Sequence, residues 1–163
     1  MKFFRATSAL AALLLAGCAS TVTIGNQTWM VDNAGTPTEG SRCHWGDEKS
    51  CGTNYRVYNW DGAQKACPEG FHLPSLKEWA QLEEGRKANT KDYQYLCVGK
   101  SYSGGFCFSP VFSVFWATDE LDQNNAYTWD PEFDYSQMKP ATAGKDEYLA
   151  VRCVKDTEEP HDD

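Results

Sequence analysis

The chain has 163 residues and is 41% hydrophobic, which is enough for one domain with a hydrophobic core. Its 23 acidic and 15 basic residues give a formal net charge of −8. This argues against a nucleic-acid partner, because nucleic-acid binding needs an excess of basic residues to neutralise the phosphates. The aromatic content of 13% excludes an intrinsically disordered chain.

The N-terminal segment is predicted to direct export. Lys2 and Arg5 precede an apolar run from Ala6 to Ala16, the pattern of a secretory signal peptide. As a helix this run would rise about 16 Å, too little to span a hydrocarbon core of roughly 30 Å. It ends in Leu15-Ala16-Gly17-Cys18, which resembles the bacterial lipobox, whose cysteine receives a diacylglycerol and becomes the mature N-terminus. We therefore expect residues 1–17 to be a lipoprotein signal peptide.

The predicted lipid on Cys18 sets the expected location. Each buried methylene contributes about 0.8 kcal/mol, so several acyl chains make release from a membrane slow. Ala19 rather than aspartate follows Cys18, which resembles the outer-membrane sorting choice of lipoproteins in double-membrane bacteria. We expect a lipid-anchored protein of the bacterial cell envelope, at the outer membrane, with residues 18–21 as the lipidated N-terminus and a short linker. The alternative is an ordinary signal peptide beside a chance cysteine.

Six cysteines remain once Cys18 is assigned to lipid, and an even number in an exported chain indicates three disulfides. These cysteines are Cys43, Cys51, Cys67, Cys97, Cys107 and Cys153. They can pair in many ways, and the sequence alone does not choose among them. The spacings favour two local bridges, Cys43 to Cys51 and Cys97 to Cys107, which leaves Cys67 with Cys153. A zinc site around Cys43 and Cys51 is not favoured, because no C-x-x-C pair accompanies them.

The first predicted elements are a hairpin and a half-buried strand. Val22 to Val31 is typical of two strands joined at Gly25-Asn26. Residues 32–53 are mostly small, polar or charged, so no regular element is expected there. Residues 54–60 alternate polar with apolar or aromatic side chains, as a half-buried strand does. Asp61 is then expected to cap a short helix that ends at Cys67.

A second helix is predicted after a connector at residues 71–74. Ser75 with Glu78 makes a capping box, and apolar residues then recur at helical spacing until Gly85. The chain from 93 to 112 is rich in aromatic residues, cysteine and glycine without periodicity, which predicts a long, stapled loop.

Three closing strands are predicted at residues 113–118, 126–129 and 148–154, because each carries β-branched or aromatic residues between turn-forming residues. An acidic, frayed tail is expected at 157–163. Strands at both ends of the chain around two helices indicate an α+β domain.

Five segments resemble one known family: VTIGNQTWM, YRVYNWDGAQKACPEGFHLPSLKEWAQL, FWATDE, NAYTWD and YLAVRCVKD. They are similar to the Fibrobacter succinogenes major paralogous domain, over residues 22–156. The resemblance implies a C-type lectin-like fold of the formylglycine-generating-enzyme superfamily, with two helices, a twisted, mainly antiparallel sheet and long disulfide-stapled loops. In that fold a cysteine at the first helix commonly bridges to one in the final strand, which agrees with Cys67 and Cys153.

The chain also departs from this family in its cysteine-bearing loops. One insert carries Cys43 and Cys51, and the long-loop region carries Cys97 and Cys107. Such loops usually form the binding surface of this fold, so the family does not name the ligand.

No catalytic constellation is visible in the sequence. No serine or cysteine lies in a nucleophile motif, and no two histidines have metal-ligand spacing. His72 is expected to bond to backbone and His44 to lie on the surface. An oxidase like the formylglycine-generating enzyme would need a reduced cysteine pair for copper, whereas all six candidates are assigned to bridges. We therefore expect no enzyme activity and no cofactor.

Calcium-dependent sugar binding is not favoured. C-type lectins hold calcium through carboxylate and amide oxygens of Glu-Pro-Asn or Gln-Pro-Asp and Trp-Asn-Asp segments. Here Trp129-Asp130 matches only part of the Trp-Asn-Asp segment, and residues 119–125 form only a loose acidic cluster. A solvated acidic loop is the simpler interpretation.

Aromatic side chains offer another route to binding, because a flat sugar face can stack on an exposed ring. The predicted binding residues lie in or beside loops: Trp45, Tyr102, Trp129, Asp130 and Tyr135. The alternative for each ring is that it covers the core, as Trp29, Trp60, Trp79 and Trp116 are expected to do.

The expected function is an envelope-anchored, non-catalytic binding module for a glycan or for an envelope or surface protein. Its expected partners are the membrane, through the N-terminal lipid, and a polysaccharide or envelope protein. The alternative is a structural or assembly lipoprotein that makes only protein–protein contacts.

Overall fold

The computed structural model describes residues 20–44, 46, 48, 51, 56–88, 114–131 and 138–157. Several predicted site residues lie outside these ranges and stay predictions: Cys18, Trp45, Cys97, Tyr102, Cys107 and Tyr135.

The first sheet joins strands from both ends of the described chain. β1 (Thr21–Ile24) and β2 (Gln27–Met30) form the predicted hairpin, and Gly25 takes a left-handed φ of 62° in its turn. β9 (Val154–Lys155) pairs antiparallel with β2 on one side and with β5 (Phe71–His72) on the other. The predicted connector at 71–74 thus contains a short strand.

A second, two-stranded sheet stands where no regular element was predicted. β3 (Ser41–Cys43) pairs antiparallel with β4 (Arg56–Tyr58), so the expectation of irregular structure throughout 32–53 is wrong. Pairing with a partner strand, which local composition does not reveal, creates β3. The predicted disulfide between Cys43 and Cys51 is present, with the Cα atoms 5.5 Å apart.

The first helix, α1 (Trp60–Ala63), is shorter than predicted and has a different cap. Oδ1 of Asn59, not of Asp61, accepts a hydrogen bond from the backbone N–H of Gly62 at 2.9 Å. A side chain at Gly62 would come within 2.8 Å of the carbonyl oxygens of Glu39 and Gly40, so the helix packs there backbone to backbone.

The Cys67–Cys153 disulfide confirms the long-range pairing. The two Cα atoms lie 5.7 Å apart across a sequence separation of 86 residues. Cys67 follows α1, and Cys153 directly precedes β9. The bridge therefore ties the region of the first helix to one of the two inner strands of the first sheet.

The second helix, α2 (Leu76–Ala88), begins as predicted. Oε2 of Glu78 accepts hydrogen bonds from N and Oγ of Ser75, both at 2.8 Å, and Oγ of Ser75 accepts from N of Glu78 at 3.3 Å. The helix continues past Gly85, where a Cβ would lie 2.9 Å from Cγ2 of Ile24. Close packing against β1, not termination, explains this glycine.

The third sheet has three antiparallel strands, β6 (Phe115–Glu120), β7 (Asn125–Pro131) and β8 (Met138–Gly144). β6 and β7 correspond to two of the predicted closing strands, whereas β8 was not predicted. The third predicted strand, over 148–154, is reduced to β9 and to isolated bridges at Leu149 and Ala150.

Rings from several elements surround Trp79 of α2. The centroid of its ring lies 4.9 Å from that of Trp29, 5.4 Å from Phe115 and 6.1 Å from Trp129, on which it stacks with an interplanar angle of 9°. Trp129 therefore covers the core, as the alternative interpretation has it, and is not an exposed ring for binding. The residue belongs to β7 and is 5% exposed, because β7 continues to Pro131 and turns this ring toward α2.

A second core cluster lies beside α1 and is built largely from small residues. Trp116 is its largest member, and its Nε1 donates a hydrogen bond to the carbonyl oxygen of Tyr58 at 2.7 Å. Trp60, which was expected in the core, is only half-buried.

The described residues thus form an α+β domain with mainly antiparallel sheets and two disulfides. None of the helices in the described ranges has the length and apolar character needed to cross a membrane.

Candidate functional site

One end of the third sheet, which we call the loop end, receives one long connection and one connection of six residues. The pairs Phe115–Trp129 and Pro131–Met138 show that β6 begins, β7 ends and β8 begins at this end. The connection that precedes β6 and the connection that joins β7 to β8 therefore attach side by side. Tyr102 belongs to the first and Tyr135 to the second, outside the described residues.

Asp130 lies at the loop end as a half-buried side chain in β7. Burial raises the pKa of its carboxyl. The charge of Glu147 acts in the same direction, whereas the nearby Thr128 hydroxyl and the charge of Lys139 act against it. Its Oδ1 atom is enclosed and has no hydrogen-bond partner among the described residues. A buried acceptor without a donor costs folding free energy, and such perturbed carboxyls concentrate at functional sites.

Trp129 and Asp130 are neighbours in sequence but belong to opposite faces of β7. The indole of Trp129 stacks beneath the sheet on Trp79, so it supports the loop end and is not an exposed platform for a sugar. The structure therefore separates the predicted binding residues into a buried support, Trp129, and a candidate contact, Asp130.

Sequence reasoning missed a three-residue arrangement of His72, Glu78 and Asp156, which we call the histidine bracket. Nδ1 of His72 lies 2.6 Å from Oδ1 of Asp156, and Nε2 lies 2.7 Å from Oε1 of Glu78. The expectation that His72 bonds to backbone is wrong, because α2 and the end of β9 bring two carboxylates to its ring. No local pattern signals this contact, since Asp156 lies 84 residues further along.

The charges of the bracket hold one another in the ionised form. Burial opposes a positive imidazolium, but the hydrogen bonds and charges of Asp156 and Glu78 outweigh it and raise the pKa of His72. Burial likewise opposes ionisation of Glu78, but hydrogen bonds from Ser75 and His72 lower the pKa of its carboxyl. Both ring nitrogens are engaged, so this histidine has no free nitrogen for proton abstraction or metal binding.

A cleft of about 200 Å³ lies beside the bracket, between the β1–β2 turn and α2. Gln27, 7% exposed, forms part of its floor: its Nε2 donates to the carbonyl oxygen of Glu78 and to Oε1 of Gln81, and its Oε1 accepts from Trp29. The cleft is smaller than the roughly 300 Å³ at which small-molecule pockets begin, and the polar atoms of Gln27 are already used.

The acidic turn between β6 and β7 is satisfied internally. Oδ1 of Asp122 accepts hydrogen bonds from the backbone N–H groups of Asn124 and Asn125, each at 2.8 Å. Lys145 pairs with Glu120 and lies 4.5 Å above the ring of Trp60. Within the described ranges, no group of three histidine, cysteine or acidic side chains is arranged to hold a metal ion.

The geometry defines a small, disulfide-braced α+β domain in which two connections meet at one end of the third sheet. The family model of the Fibrobacter succinogenes major domain matches residues 22–106, which is just over half of the chain. The chain belongs to this family. No curated protein and no solved structure shows a significant match to the chain.

Proposed function

We propose that this chain is an envelope-anchored, non-catalytic binding module that recognises a glycan or an envelope or surface protein. The observation that carries the proposal is the loop end. There, the half-buried carboxyl of Asp130 lies beside the attachment points of the two connections that contain Tyr102 and Tyr135.

A rigid support beneath the loop end suits a binding role. Trp129 stacks on Trp79, and Phe115, which begins β6, packs on the same ring. Side chains carried on long connections bind well when the scaffold that holds them is pre-organised, because less ordering entropy is lost on binding. The ligand would be held by rings and by hydrogen-bonding groups such as Asp130.

We further propose a C-type lectin-like fold and a lipid anchor at Cys18, placing the domain at the bacterial outer membrane. The bridge from the α1 region to Cys153, just before β9, supports the fold assignment. The Leu15-Ala16-Gly17-Cys18 motif supports the anchor. The occupied ring nitrogens of His72 support a role without acid–base catalysis by that residue.

Retention on immobilised bacterial polysaccharides tests this function. The wild type is compared with Trp45→Ala, Tyr102→Ala, Tyr135→Ala and Asp130→Asn. Thr142→Ala, at an exposed position of β8, is the matched control. We expect the wild type and the control to be retained by at least one polysaccharide and the four variants to lose retention. The three ring variants should keep the Tm of the wild type, whereas Asp130→Asn should raise it slightly.

Chemical cross-linking in intact cells separates the two ligand classes. A specific protein adduct that the same loop variants abolish, without retention by any polysaccharide, identifies a protein ligand. An adduct that survives every loop variant favours the structural lipoprotein instead. Absence of both retention and adduct would contradict a binding module.

A further inference from the structure

An apolar groove of about 430 Å³ lies where the described domain begins, and we call it the N-terminal groove. Ala34 and Ala66 are buried in its walls, and Pro37 and Pro68 are exposed at its surface. Met30 is half-buried between these groups. The lining is therefore dominated by small and apolar side chains that have no use in the histidine bracket or at the loop end.

The N-terminal groove is pre-formed by backbone pairing and by a disulfide. The N–H of Met30 donates to the carbonyl oxygen of Cys153 at 3.0 Å, and the N–H of Ala34 donates to that of Val151 at 2.8 Å. Ala66 directly precedes Cys67, whose disulfide to Cys153 ties the two walls together. A groove fixed in this way can receive an apolar partner without reorganising.

Ser20 connects the groove to the predicted lipid anchor. It lines the groove, and its carbonyl oxygen accepts a hydrogen bond from the N–H of Val31 at 2.8 Å, which fixes its backbone beside the end of β2. Cys18 lies only two residues earlier, and two residues span at most about 7 Å. A diacylglycerol on Cys18 would therefore be attached to a backbone position within about 7 Å of Ser20 in the groove wall.

We propose that the N-terminal groove docks on the membrane that holds the anchor, with Met30, Pro37 and Pro68 against the acyl region of the bilayer. This orientation rests on the lipidation of Cys18 in the proposed function. The domain then sits directly on the membrane surface instead of moving at the end of a flexible stalk.

The net charge of the chain indicates which kind of membrane the groove would contact. Asp32 lines the groove with an exposed carboxylate, and loss of Lys2 and Arg5 with residues 1–17 leaves the mature chain with 13 basic and 23 acidic residues, a formal charge of −10. Anionic lipid headgroups would repel such a surface. A bilayer of zwitterionic phospholipid is therefore the expected partner.

Lipid photo-crosslinking tests the docking. The mature, lipidated protein is reconstituted in phosphatidylcholine vesicles that contain a phosphatidylcholine with a diazirine in its acyl chain, and peptide mass spectrometry locates the adducts. We expect adducts at residues 30–37 and 66–68 and none at the turn 121–124. Replacing half of the lipid with phosphatidylglycerol is expected to lower the yield.

Two variants make the test specific to the groove. Pro37→Asp and Pro68→Asp place a carboxylate at exposed positions of the lining, and each should reduce the groove adducts several-fold with unchanged Tm. Thr142→Asp, on the exposed face of β8, should leave the yield unchanged.

The outcomes distinguish the orientation from the anchor itself. If Cys18 carries lipid by intact mass but adducts are confined to residues 18–21, or are spread evenly over the surface, the docking is wrong and the proposed function stands. If Cys18 carries no lipid, the anchoring in the proposed function fails, and the docking fails with it.

Discussion

The two helices are held in this domain by different means. α2 begins at a capping box and inserts the ring of Trp79 among three other rings. α1 is a single turn that is capped by Asn59, buries only small side chains and leads into the Cys67–Cys153 disulfide. A helix of one turn buries little apolar surface, so covalent closure and backbone packing take the place of the rings.

This difference determines which substitutions each region of the molecule tolerates. The region of α2 depends on large side chains that fill one core, whereas the region of α1 depends on a bond that closes a long loop. Removing one means of support at a time tests this division.

Removing the long-range disulfide should have the largest effect. Cys67→Ala with Cys153→Ala opens a closure of 86 residues and should lower the free energy of unfolding by about 4–5 kcal/mol. Cys43→Ala with Cys51→Ala opens a closure of only 8 residues and should cost about 2–3 kcal/mol. Denaturant unfolding measures both, and equal losses would argue against a special role for the long bridge.

Truncating the central ring of the α2 region should be almost as severe. Trp79→Ala removes contacts to three rings and should cost about 3–5 kcal/mol in denaturant unfolding. Trp129→Ala should also destabilise, whereas Trp60→Ala, at a half-buried position, should cost less. If Trp129→Ala left the stability unchanged and abolished polysaccharide retention, its burial beneath the loop end would be contradicted.

Removing the cap of α1 should have a smaller effect. Asn59→Ala should lower the free energy of unfolding by about 1 kcal/mol, because the hydrogen bond from the N–H of Gly62 is lost. A double-mutant cycle sharpens the comparison. Asn59→Ala should be non-additive with loss of the Cys67–Cys153 bridge, since both act on α1, whereas Ser75→Ala at α2 should be additive with it. Additivity in both cycles would show that the bridge does not hold α1.

The histidine bracket should give a pH-dependent contribution to stability. Because the pKa of His72 is raised, its contribution is complete below its unfolded value of 6.5 and is lost as pH rises through the higher folded pKa. The pKa of Glu78 is lowered, so its contribution is present above its unfolded value of 4.5 and is lost as pH falls further. The Tm difference between wild type and His72→Gln should thus be greatest between these two values and shrink in alkali.

The exposed His44 provides the control for the bracket. His44→Gln should give a smaller Tm difference from wild type across the same series of buffers. A Tm difference for His72→Gln that does not change with pH would show that the bracket is held by packing alone.

Asp130→Asn should have the smallest effect on stability and the opposite sign. Burial raises the pKa of this carboxyl above its unfolded value of 3.8. The protonated carboxyl therefore adds to the free energy of unfolding below pH 3.8, and this contribution is lost as pH rises through the folded pKa. At neutral pH the neutral amide should therefore raise Tm slightly while polysaccharide retention falls. If Asp130→Asn lowered Tm at neutral pH, the Asp130 carboxylate would stabilise the fold. That result would contradict its assignment as a ligand contact that lowers stability.

Local patterns predicted the parts of the fold that local chemistry determines. The β1–β2 hairpin around Gly25 and the capping box of Ser75 and Glu78 are visible in neighbouring residues. The Cys67–Cys153 pair could be inferred because the spacings of the other cysteines favoured local bridges and the family resemblance agreed.

Non-local pairing explains what the sequence could not show. β8 contains Pro140 and small residues, and it becomes a strand because it pairs with β7 along its whole length. The contact of His72 with Asp156 depends on β5 and β9 meeting in the first sheet. Trp129 ends the strand predicted over 126–129, and only the stacking of its ring on Trp79, which lies far away in the sequence, shows that it is buried.

Six of the cysteines are assigned to disulfides that brace the fold, and Cys18 is assigned to the lipid that anchors it. Non-reducing peptide mass spectrometry of the protein extracted from membranes tests this division directly. It should find lipid on Cys18 and bonds between Cys43 and Cys51, between Cys67 and Cys153, and between Cys97 and Cys107. Free thiols at Cys67 and Cys153, or a Cys18 without lipid, would contradict it.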